Sequence, residues 1–483
     1  MTKPCYVVTI PLKTELWQEH ILTKRLEIAR QMYNACLGEV LKRYKRLKND
    51  TSYQYWIKQK PSKERKEAFK QLNQDYGLSE YALHSFVKPI QNYFRKHIDA
   101  NTSQKIATRV WKAFDKYRYD KNVQKVYFKQ KGELRSVEGK TNKQGIRFKE
   151  NQLIWNGLTI PIKLKKNDMY LHVALLDKVK YCRIIKKQIR GIQRYFVQLI
   201  LEGIPPKKVN PTTGEVKHPR NQGTVGIDIG TQTIAIVSEN EAKLVELAPN
   251  VNKMEQEIRL LSRKLDRQRR ANNPHKYNDD GTIKRTKDKW IHSKNYLKTK
   301  EQLTDIHRKM ADVRKQDHHS MANWILSLGD NVKVETMNYK GLQRRAKQTT
   351  INEKTKRYNK KKRFGKSLLN KAPALLLTIL DNKLSYDNKQ LKKIDTYKIK
   401  ASQYNHFNES YEKKTIGQRW NDFDCGKVQR DLYSAYLIMN VKNNLKEIDK
   451  EKCNHRWHIF KMLHDKEIER LKKSATKIAS MGM

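Results

Sequence analysis

The chain of 483 residues carries 103 lysines and arginines against 50 aspartates and glutamates, which gives a formal net charge of +53. A compact protein with this much like charge repels itself unless polyanions are bound, and the excess is spread along the whole length rather than confined to a tail. The composition therefore argues against a basic protein that works without a bound polyanion such as a nucleic acid. A long RNA bound along much of the surface is the natural counter-charge.

The cysteines and the distribution of apolar residues indicate the compartment. The five cysteines show no CxxC spacing, a pattern typical of proteins in a reducing cytoplasm. The first residues contain no apolar core long enough for a secretion signal, and no run of about 18 apolar residues could span a bilayer. We expect a cytoplasmic protein without a membrane partner.

The first part of the chain predicts helices placed between the strands of a small β-barrel. Tyr6–Leu12 has the pattern of a strand. Apolar residues spaced by threes and fours predict one amphipathic helix from Leu22 to Tyr44 and a second within Tyr81–Ile98. After Tyr117 the period shifts toward two. The predicted strands there are Val126–Phe128, Ile146–Phe148, Leu153–Trp155, Tyr170–Leu175 and Tyr195–Leu201. Because Tyr6–Leu12 has no other sheet to join, we expect it to pair with these strands, which makes the helical region an insertion in the barrel.

The stretch Gly223–Ser238, GTVGIDIGTQTIAIVS, follows a linker at 206–222 that is rich in Pro, Gly, Lys and Thr. Its apolar residues predict two buried strands joined by the turn Gly230–Gln232, with Asp228 inside the first strand. A carboxylate in an apolar strand loses hydration unless a metal ion or a fixed basic group meets it. Asp228 is therefore a candidate site residue, and the alternative is an aspartate that caps the turn.

Farther along, the spacing predicts two long helices, Met254–Arg270 and Tyr296–Leu328, which would form an antiparallel hairpin inserted in the same domain. The next predicted strand, Asn331–Glu335, ends in an acidic residue. It is followed by a very basic segment, Lys354–Lys366. This segment fits either a disordered arm or a path that leads nucleic acid toward the site, and the sequence leaves both open.

A further strand is predicted at Leu391–Lys400, and an apolar helix begins at Asp431 in RDLYSAYLIMN. Taken singly, Glu335 fits a solvated strand end and Asp431 fits a helix N-cap. One acidic residue on each of two strands and a helix is nevertheless a recurrent way to build a two-metal phosphodiesterase site. Hard divalent cations take oxygen ligands, and two of them can clamp the attacking and leaving oxygens of a phosphodiester.

GIDIGTQTIA, VETMNYKGL and the segment around RDLYSAYL resemble the three RuvC motifs of TnpB-type transposon-encoded proteins and of the compact type V CRISPR effectors. The resemblance covers nearly the whole chain. It implies an RNase H-like domain that cuts DNA chosen by a guide RNA, with Asp228, Glu335 and Asp431 as catalytic residues and as ligands of two Mg²⁺ ions.

The fold expected from the elements and the resemblance combines α/β, all-β and all-α parts in a bilobed chain. A helical recognition lobe is inserted in a small β-barrel, the wedge, and an RNase H-like RuvC domain with a helical-hairpin insertion follows. The expected bounds are 1–16 for the wedge strand, 17–116 for the recognition lobe, 117–205 for the wedge barrel, 206–222 for the linker, 223–400 for the RuvC-like domain with its hairpin at 253–328, 401–428 for a nucleic-acid-binding insert, and 429–483 for the third motif and a basic tail.

The insert at 401–428 is the place where the family commonly carries two CxxC pairs that hold a zinc ion. Only one of these four cysteine positions is matched here, by Cys425. A single thiolate cannot hold a zinc ion that needs four tetrahedral ligands. We expect no zinc. Packing of aromatic residues is expected to hold the insert instead, through Tyr404, Phe407, Tyr411, Trp420 and Phe423.

The expected function is that of an RNA-guided DNA endonuclease of the prokaryotic cytoplasm or nucleoid. It would bind a long guide RNA, read a short flanking motif and cut the target DNA that pairs with the guide. Arg419 and Arg430 are candidates to contact the phosphate, and a monomer is expected.

Two alternatives stay open. One is an RNA-guided DNA-binding repressor that has lost cleavage, because Gln429, Tyr433 and Leu437 stand where the family's third motif has Asp, Asn and Asn. The other is a transposase that joins DNA ends through the same kind of site.

Overall fold

The computed structural model describes residues 4–120, 123–353, 355–356, 358–359, 361–362, 364–415, 417–474, 478 and 481–482. The chain divides into two units, Met1–Pro206 and Lys207–Met483. Of the predicted basic segment Lys354–Lys366, four residues lie outside the described residues: Lys354, Arg357, Lys360 and Arg363. Within the described part of the chain, no helix is both long and apolar enough to cross a lipid bilayer.

The first unit contains helices and short strands. In chain order these are β1 (Cys5–Pro11), α1 (Leu16–Lys48), α2 (Thr51–Lys58), α3 (Lys63–Asp75), α4 (Glu80–Tyr93), α5 (Ala100–Tyr119), β2 (Ser136–Glu138), β3 (Arg147–Lys149), β4 (Gln152–Trp155), β5 (Leu158–Pro161), α6 (Met169–Ala174), β6 (Val179–Ile189) and β7 (Ile192–Glu202). β1 pairs antiparallel with β7. The predicted pairing of Tyr6–Leu12 with the later strands is therefore confirmed, and α1 to α5 lie in the chain between β1 and its partner.

No closed β-barrel is found among the described residues, where the strands of this unit form two sheets, ordered β1-β7-β6-β2 and β3-β4-β5. The two sheets meet where Leu12, just after β1, forms an antiparallel bridge with Ile162, just after β5. Two predicted strands are missing. Val126–Phe128 has no regular structure, and Tyr170–Leu175 falls mostly within α6. Asp168 accepts a hydrogen bond from the backbone N–H of Leu171 at 3.1 Å, and this N-cap favours a helix over the strand that the apolar pattern predicted.

The second unit is built on one mixed sheet. Its elements are β8 (Thr224–Ile229), β9 (Thr233–Val237), β10 (Ala242–Glu246), α7 (Glu255–Asn272), α8 (Lys294–Leu328), β11 (Asn331–Glu335), α9 (Tyr339–Leu342), α10 (Gly365–Lys371), α11 (Pro373–Ser385), β12 (Lys392–Ile394), α12 (Thr396–Ile399), β13 (Trp420–Phe423), β14 (Gly426–Gln429), α13 (Arg430–Met439) and α14 (Lys450–Lys473). The strand order is β10-β9-β8-β11-β12. β8 runs antiparallel to β9 and parallel to β11.

Most of the predicted elements of this unit are confirmed. The two strands of Gly223–Ser238, the strand Asn331–Glu335 and the two long helices are present. α7 and α8 pack against each other, so the predicted hairpin is also confirmed. The predicted strand Leu391–Lys400 is correct only over β12, because the backbone turns into α12 after Asp395, whose carboxylate accepts hydrogen bonds from the N–H groups of the next turn.

The central sheet is covered on both faces. Val225, Ile227 and Ile229 of β8 belong to a core that also contains residues of α8 and α11. Successive residues of a strand point to opposite faces, so Gly226 and Asp228 lie on the other face. α13 packs there, and its residues form a second core with those of β9 and α14.

Gly226 allows α13 to lie directly on β8. A Cβ atom at this position would stand 2.1 Å from the carbonyl oxygen of Ala435 and 2.4 Å from the backbone nitrogen of Met439. Both are backbone atoms, which cannot rotate out of the way as a side chain can. The contact therefore requires a residue without a side chain.

Gly226→Ala is expected to destabilise the second unit by about 2–3 kcal/mol, because the added methyl group must push α13 off the sheet. Thermal unfolding of the full chain measures the effect. The matched control is Gly417→Ala, since a Cβ at Gly417 would meet no heavy atom within 4 Å. It should change stability by less than about 0.5 kcal/mol. Equal melting temperatures for the two variants would contradict the close approach of α13.

Candidate functional site

Two of the predicted acidic residues lie side by side on the central sheet. The parallel register of β8 and β11 pairs Ile227 with Val334, so Asp228 and Glu335 occupy the next position on each strand. Neighbouring strands are about 4.8 Å apart, and paired positions project to the same face. Lys333 identifies that face, because it pairs with Gly226 and its ammonium donates a hydrogen bond to the carbonyl of Met439, in α13, at 3.1 Å. Asp228 and Glu335 thus both point toward the α13 side.

The third predicted acidic residue, Asp431, is brought to the same place by the first turn of α13. Gln429 caps this helix by accepting a hydrogen bond from the N–H of Leu432 at 2.8 Å. The Asp431 carboxylate lies 3.4 Å from Nε of Arg430 and 3.8 Å from a guanidinium nitrogen of Arg419. Asp431 is therefore a charged neighbour of the sheet carboxylates and not the N-cap residue of its helix.

The electrostatics show that the three carboxylates share one site. The pKa of Asp228 is raised well above its ordinary value of 3.8, first by burial, then by the charge of Asp431 and then by that of Glu335. Burial also raises the pKa of Glu335. Arg430 acts in the opposite sense and lowers the pKa of Asp228, but the upward effects prevail. Burial together with the neighbouring carboxylates thus disfavours the ionised form of Asp228 more than Arg430 favours it.

The two predicted phosphate-contacting arginines lie beside Asp431. Arg430 also donates hydrogen bonds to the carbonyls of Gln418 at 3.0 Å and Thr415 at 3.3 Å, so it ties the loop before β13 to the start of α13. Arg419 accepts, through its carbonyl, a hydrogen bond from the backbone N–H of Arg430 at 2.9 Å. Both guanidinium groups thus sit at the rim of the carboxylate cluster, and their contact with a phosphate stays a prediction.

Two hydroxyl groups in the site were missed by the sequence reasoning. Ser434, one turn after Asp431, is 1% exposed, and its hydroxyl lies close enough to Asp228 to favour the ionised carboxylate. It has no hydrogen bond of ordinary geometry among the described residues. Tyr339 follows Glu335 by four positions, and its hydroxyl is likewise buried without a hydrogen-bond partner in the described part of the chain. The only available signal was their position within the two motifs.

The donor chemistry of the cluster fits a hard divalent cation. Carboxylates are the oxygen ligands that Mg²⁺ prefers, and a bound cation would relieve the mutual repulsion that raises the pKa of Asp228. The two unpartnered hydroxyls add polar groups that a hydrated ion could satisfy. As they stand, no three His, Cys, Asp or Glu side chains among the described residues are arranged to hold a metal ion directly. Ligation by all three carboxylates would require their side chains to turn toward one another.

The region expected to lack zinc is packed around aromatic residues, as predicted, but around a larger set. Phe407 packs edge-on against Phe423, and Tyr404 lies beside Tyr411. The group also includes His406, which is fully buried and hydrogen-bonded through Nδ1 to the hydroxyl of Tyr433 at 2.6 Å. Tyr433 stands where the resembled family has Asn, so this chain uses that position for packing.

Comparisons with known proteins give no family assignment. No protein-family model matches the chain, and no curated protein matches it. Among solved structures it is similar to a Cas12f1–sgRNA–target DNA complex, with 10% identity, a TM-score of 0.41 and coverage of 91% of this chain and 99% of that one. It is also similar to a CRISPR-Cas12f ternary complex, with 13% identity, a TM-score of 0.25 and coverage of 89% and 83%. These values are too low to establish the activity of this chain.

Asp228→Asn is expected to stabilise the metal-free protein by on the order of 1–2 kcal/mol near neutral pH. The raised pKa means that the native state binds a proton on Asp228 more tightly than the unfolded state does. Asp228 therefore does not lower the free energy of unfolding below its ordinary pKa of 3.8. Above that pH its destabilising effect grows as the pH rises toward the pKa of the native state. Thermal unfolding in a chelator between pH 5 and 8 should show a gain from the substitution that shrinks as pH falls.

The control for this prediction is Asp422→Asn, on an exposed position of β13 where the side chain is 75% exposed. Its effect on stability should be small and nearly independent of pH, because solvent screens the charge. A gain for Asp228→Asn that is the same at pH 5 and pH 8, or no gain at any pH, would mean that the carboxylate cluster is less strained than its surroundings indicate.

Proposed function

We propose that this chain is an RNA-guided DNA endonuclease that hydrolyses phosphodiesters with two Mg²⁺ ions. The observation that carries the proposal is the meeting of Asp228, Glu335 and Asp431 at one face of the central sheet, where each carboxylate comes from a different element. Separate elements can hold ligands at fixed positions around a substrate. An uncompensated cluster of this kind is costly to the fold, and such costs concentrate at functional sites.

In the proposed reaction, Asp228 and Glu335 hold the cations from the sheet and Asp431 holds them from α13. Bound divalent cations would supply an activated water and would stabilise the departing 3′ oxygen. Ser434 supports the ionised form of Asp228, which is the form able to bind a cation. Arg419 and Arg430, at the rim of the cluster, would neutralise charge on the phosphate. No side-chain nucleophile is needed.

The partners proposed are a long guide RNA and a DNA target that pairs with it. The support is the net charge of +53, which calls for polyanions. The two Cas12f complexes named above are described as holding sgRNA and target DNA in one case and as a ternary complex in the other. Target choice would come from base pairing, while the protein reads a short flanking motif. The five cysteines are free, in keeping with a reducing cytoplasm.

The proposed division of labour follows the expected domains. Residues 17–116 would grip the guide duplex, and 1–16 with 117–205 would act as the wedge, in the form of two bridged sheets. Residues 223–400 and 429–483 would form the RuvC-like nuclease, with the hairpin at 253–328 facing the guide–target duplex. The insert 401–428, without zinc, would contact the target.

An RNA-guided DNA-binding repressor is the second candidate. It is favoured by the finding that the described residues contain no group of three ligands already arranged around a metal position. It is also favoured by the engagement of Asp431 with two arginines, which offset its charge. A repressor would keep guide and target binding, so the two candidates differ only in whether the bound DNA is cut.

The test starts with the chain purified together with its RNA, whose sequence defines a matched DNA target with randomised flanks. With Mg²⁺ the wild type should cut this DNA, and Asp228→Asn, Glu335→Gln or Asp431→Asn should each lower the rate at least about 100-fold, because each removes a proposed metal ligand.

Binding of the matched DNA is measured in parallel by a gel-shift assay. Wild-type protein that binds the target without cutting it would replace the nuclease with the repressor. Strand-joining products formed without RNA would instead favour the transposase.

RNA affinity should depend steeply on salt. If the chain neutralises at least six to ten phosphates, its affinity should fall by about 10³-fold or more between 50 and 200 mM monovalent salt. Filter binding with the copurified RNA at four or more salt concentrations gives the slope. A shallow slope, corresponding to two or three neutralised phosphates, would show that the positively charged residues do not bind a long RNA.

A further inference from the structure

Tyr339 has a hydroxyl group that the described protein residues leave without a partner. Its residue is partly buried at the start of α9, yet the phenolic oxygen itself is shielded from solvent and makes no hydrogen bond to the described residues. Burying a hydroxyl in this way costs free energy unless something pairs with it. A buried polar group of this kind calls for a partner, such as a water molecule, an ion or a repositioned side chain.

Local contacts hold Tyr339 where it is. The backbone N–H of Thr336 donates to the hydroxyl oxygen of Thr396 at 3.2 Å, and the two threonine hydroxyls lie 2.8 Å apart. Asn338 caps α9 by accepting a hydrogen bond from the N–H of Gly341 at 2.9 Å. The segment that joins Glu335 to Tyr339 is thus fixed at both ends. The phenol is held in place and is not a side chain at the tip of a free loop.

The charges that act on the phenol are those of the sheet carboxylates. The pKa of Tyr339 is raised, first by burial, then by the charge of Asp228 and then by that of Glu335. The phenol therefore keeps its proton at neutral pH and can act as a hydrogen-bond donor. The acceptors available to it are the same carboxylates that are proposed to bind a cation.

We propose that Tyr339 is a positioning residue of the carboxylate cluster, whose hydroxyl donates a hydrogen bond to the Asp228–Glu335 pair when a divalent cation occupies the site. This inference rests on the proposed function. A carboxylate ligand has lone pairs to spare, and a donor on one of its oxygens fixes the direction in which the others face the ion. Tyr339 acts through the ligands and does not contact the reacting atoms.

A residue that merely fills space would behave differently from a positioning residue. Tyr339→Phe keeps the ring and removes only the hydroxyl. Because that hydroxyl is unpartnered in the metal-free protein, its loss should leave metal-free stability unchanged or slightly higher. In the loaded site the same loss should weaken cation binding, since partners of metal ligands typically contribute about 10- to 100-fold to affinity. A packing role predicts neither effect.

The chain offers a matched control in Tyr277, in the loop between α7 and α8. Its hydroxyl is also buried and makes no hydrogen bond of ordinary geometry among the described residues, although it lies close to the guanidinium of Arg269. Its ring lies 6.1 Å from that of Trp290. Tyr277→Phe makes the same chemical change away from the carboxylates. It should leave the Mn²⁺ dependence of stability as it is in the wild type.

The experiment uses the full chain, freed of RNA, and Mn²⁺ as the probe. Thermal unfolding is followed in a chelator and then at increasing Mn²⁺ concentrations for the wild type, Tyr339→Phe, Tyr277→Phe and Asp228→Asn. Tyr339→Phe is expected to melt at or above the wild-type temperature without metal and to need about tenfold more Mn²⁺ for half of the stabilisation. With RNA and target restored, half-maximal cleavage should need about tenfold more Mg²⁺, with most of the maximal rate retained.

The outcomes separate the two proposals. If Asp228→Asn abolishes stabilisation by Mn²⁺ while Tyr339→Phe responds like the wild type, the positioning role is overturned and the nuclease proposal stands. If Asp228→Asn binds Mn²⁺ and cuts like the wild type, the proposed function fails and the role of Tyr339 fails with it. A lower metal-free melting temperature for Tyr339→Phe with unchanged Mn²⁺ dependence would also overturn the positioning role and would indicate packing alone.

Discussion

The site depends on the direct contact between α13 and β8 at Gly226. Because this residue has no side chain, the helix backbone reaches the strand. Lys333 of β11 then ties the C-terminal end of α13 to the sheet through the carbonyls of Met439 and Val441. With the helix held at its middle and at one end, its first turn has little freedom. That turn carries Asp431, so the contact brings this carboxylate of α13 next to the carboxylates of Asp228 and Glu335 on the sheet.

The cluster is uneven in how its charge is offset. Asp431 faces two arginines, whereas Asp228 lies farther in, where burial and its acidic neighbours raise its pKa. Glu335 is affected in the same direction by burial alone. The unsatisfied part of the site is therefore the sheet side, around Asp228, Ser434 and Tyr339. A cation drawn into the site would be attracted most strongly there, and the arginines would remain nearer the solvent.

The sequence was informative where periodicity and chemistry agreed. A single charge in the apolar run of β8, and another at the end of β11, identified two carboxylates that the sheet register indeed brings together. One strand predicted for the barrel is instead the helix α6, because apolar alternation takes no account of a helix cap such as the one that Asp168 makes. Tyr339 and Ser434 could not be found in this way, because a hydroxyl near a carboxylate leaves no periodic pattern. The same holds for His406, whose role depends on partners far away in the chain.

Lys333 and Glu335 stand two positions apart on β11, so one short strand both anchors α13 and supplies an acidic group. A slip of this strand by a single residue would turn both side chains into the apolar layer beside Val225 and Ile227. The ammonium of Lys333 and the carboxylate of Glu335 would then be buried among apolar side chains without partners, and Val332 and Val334 would face α13. Misalignment during folding is thus penalised twice over. A molecule with this strand shifted by one residue would lose both the contact with α13 and the acidic group, so partly assembled carboxylate clusters should not accumulate.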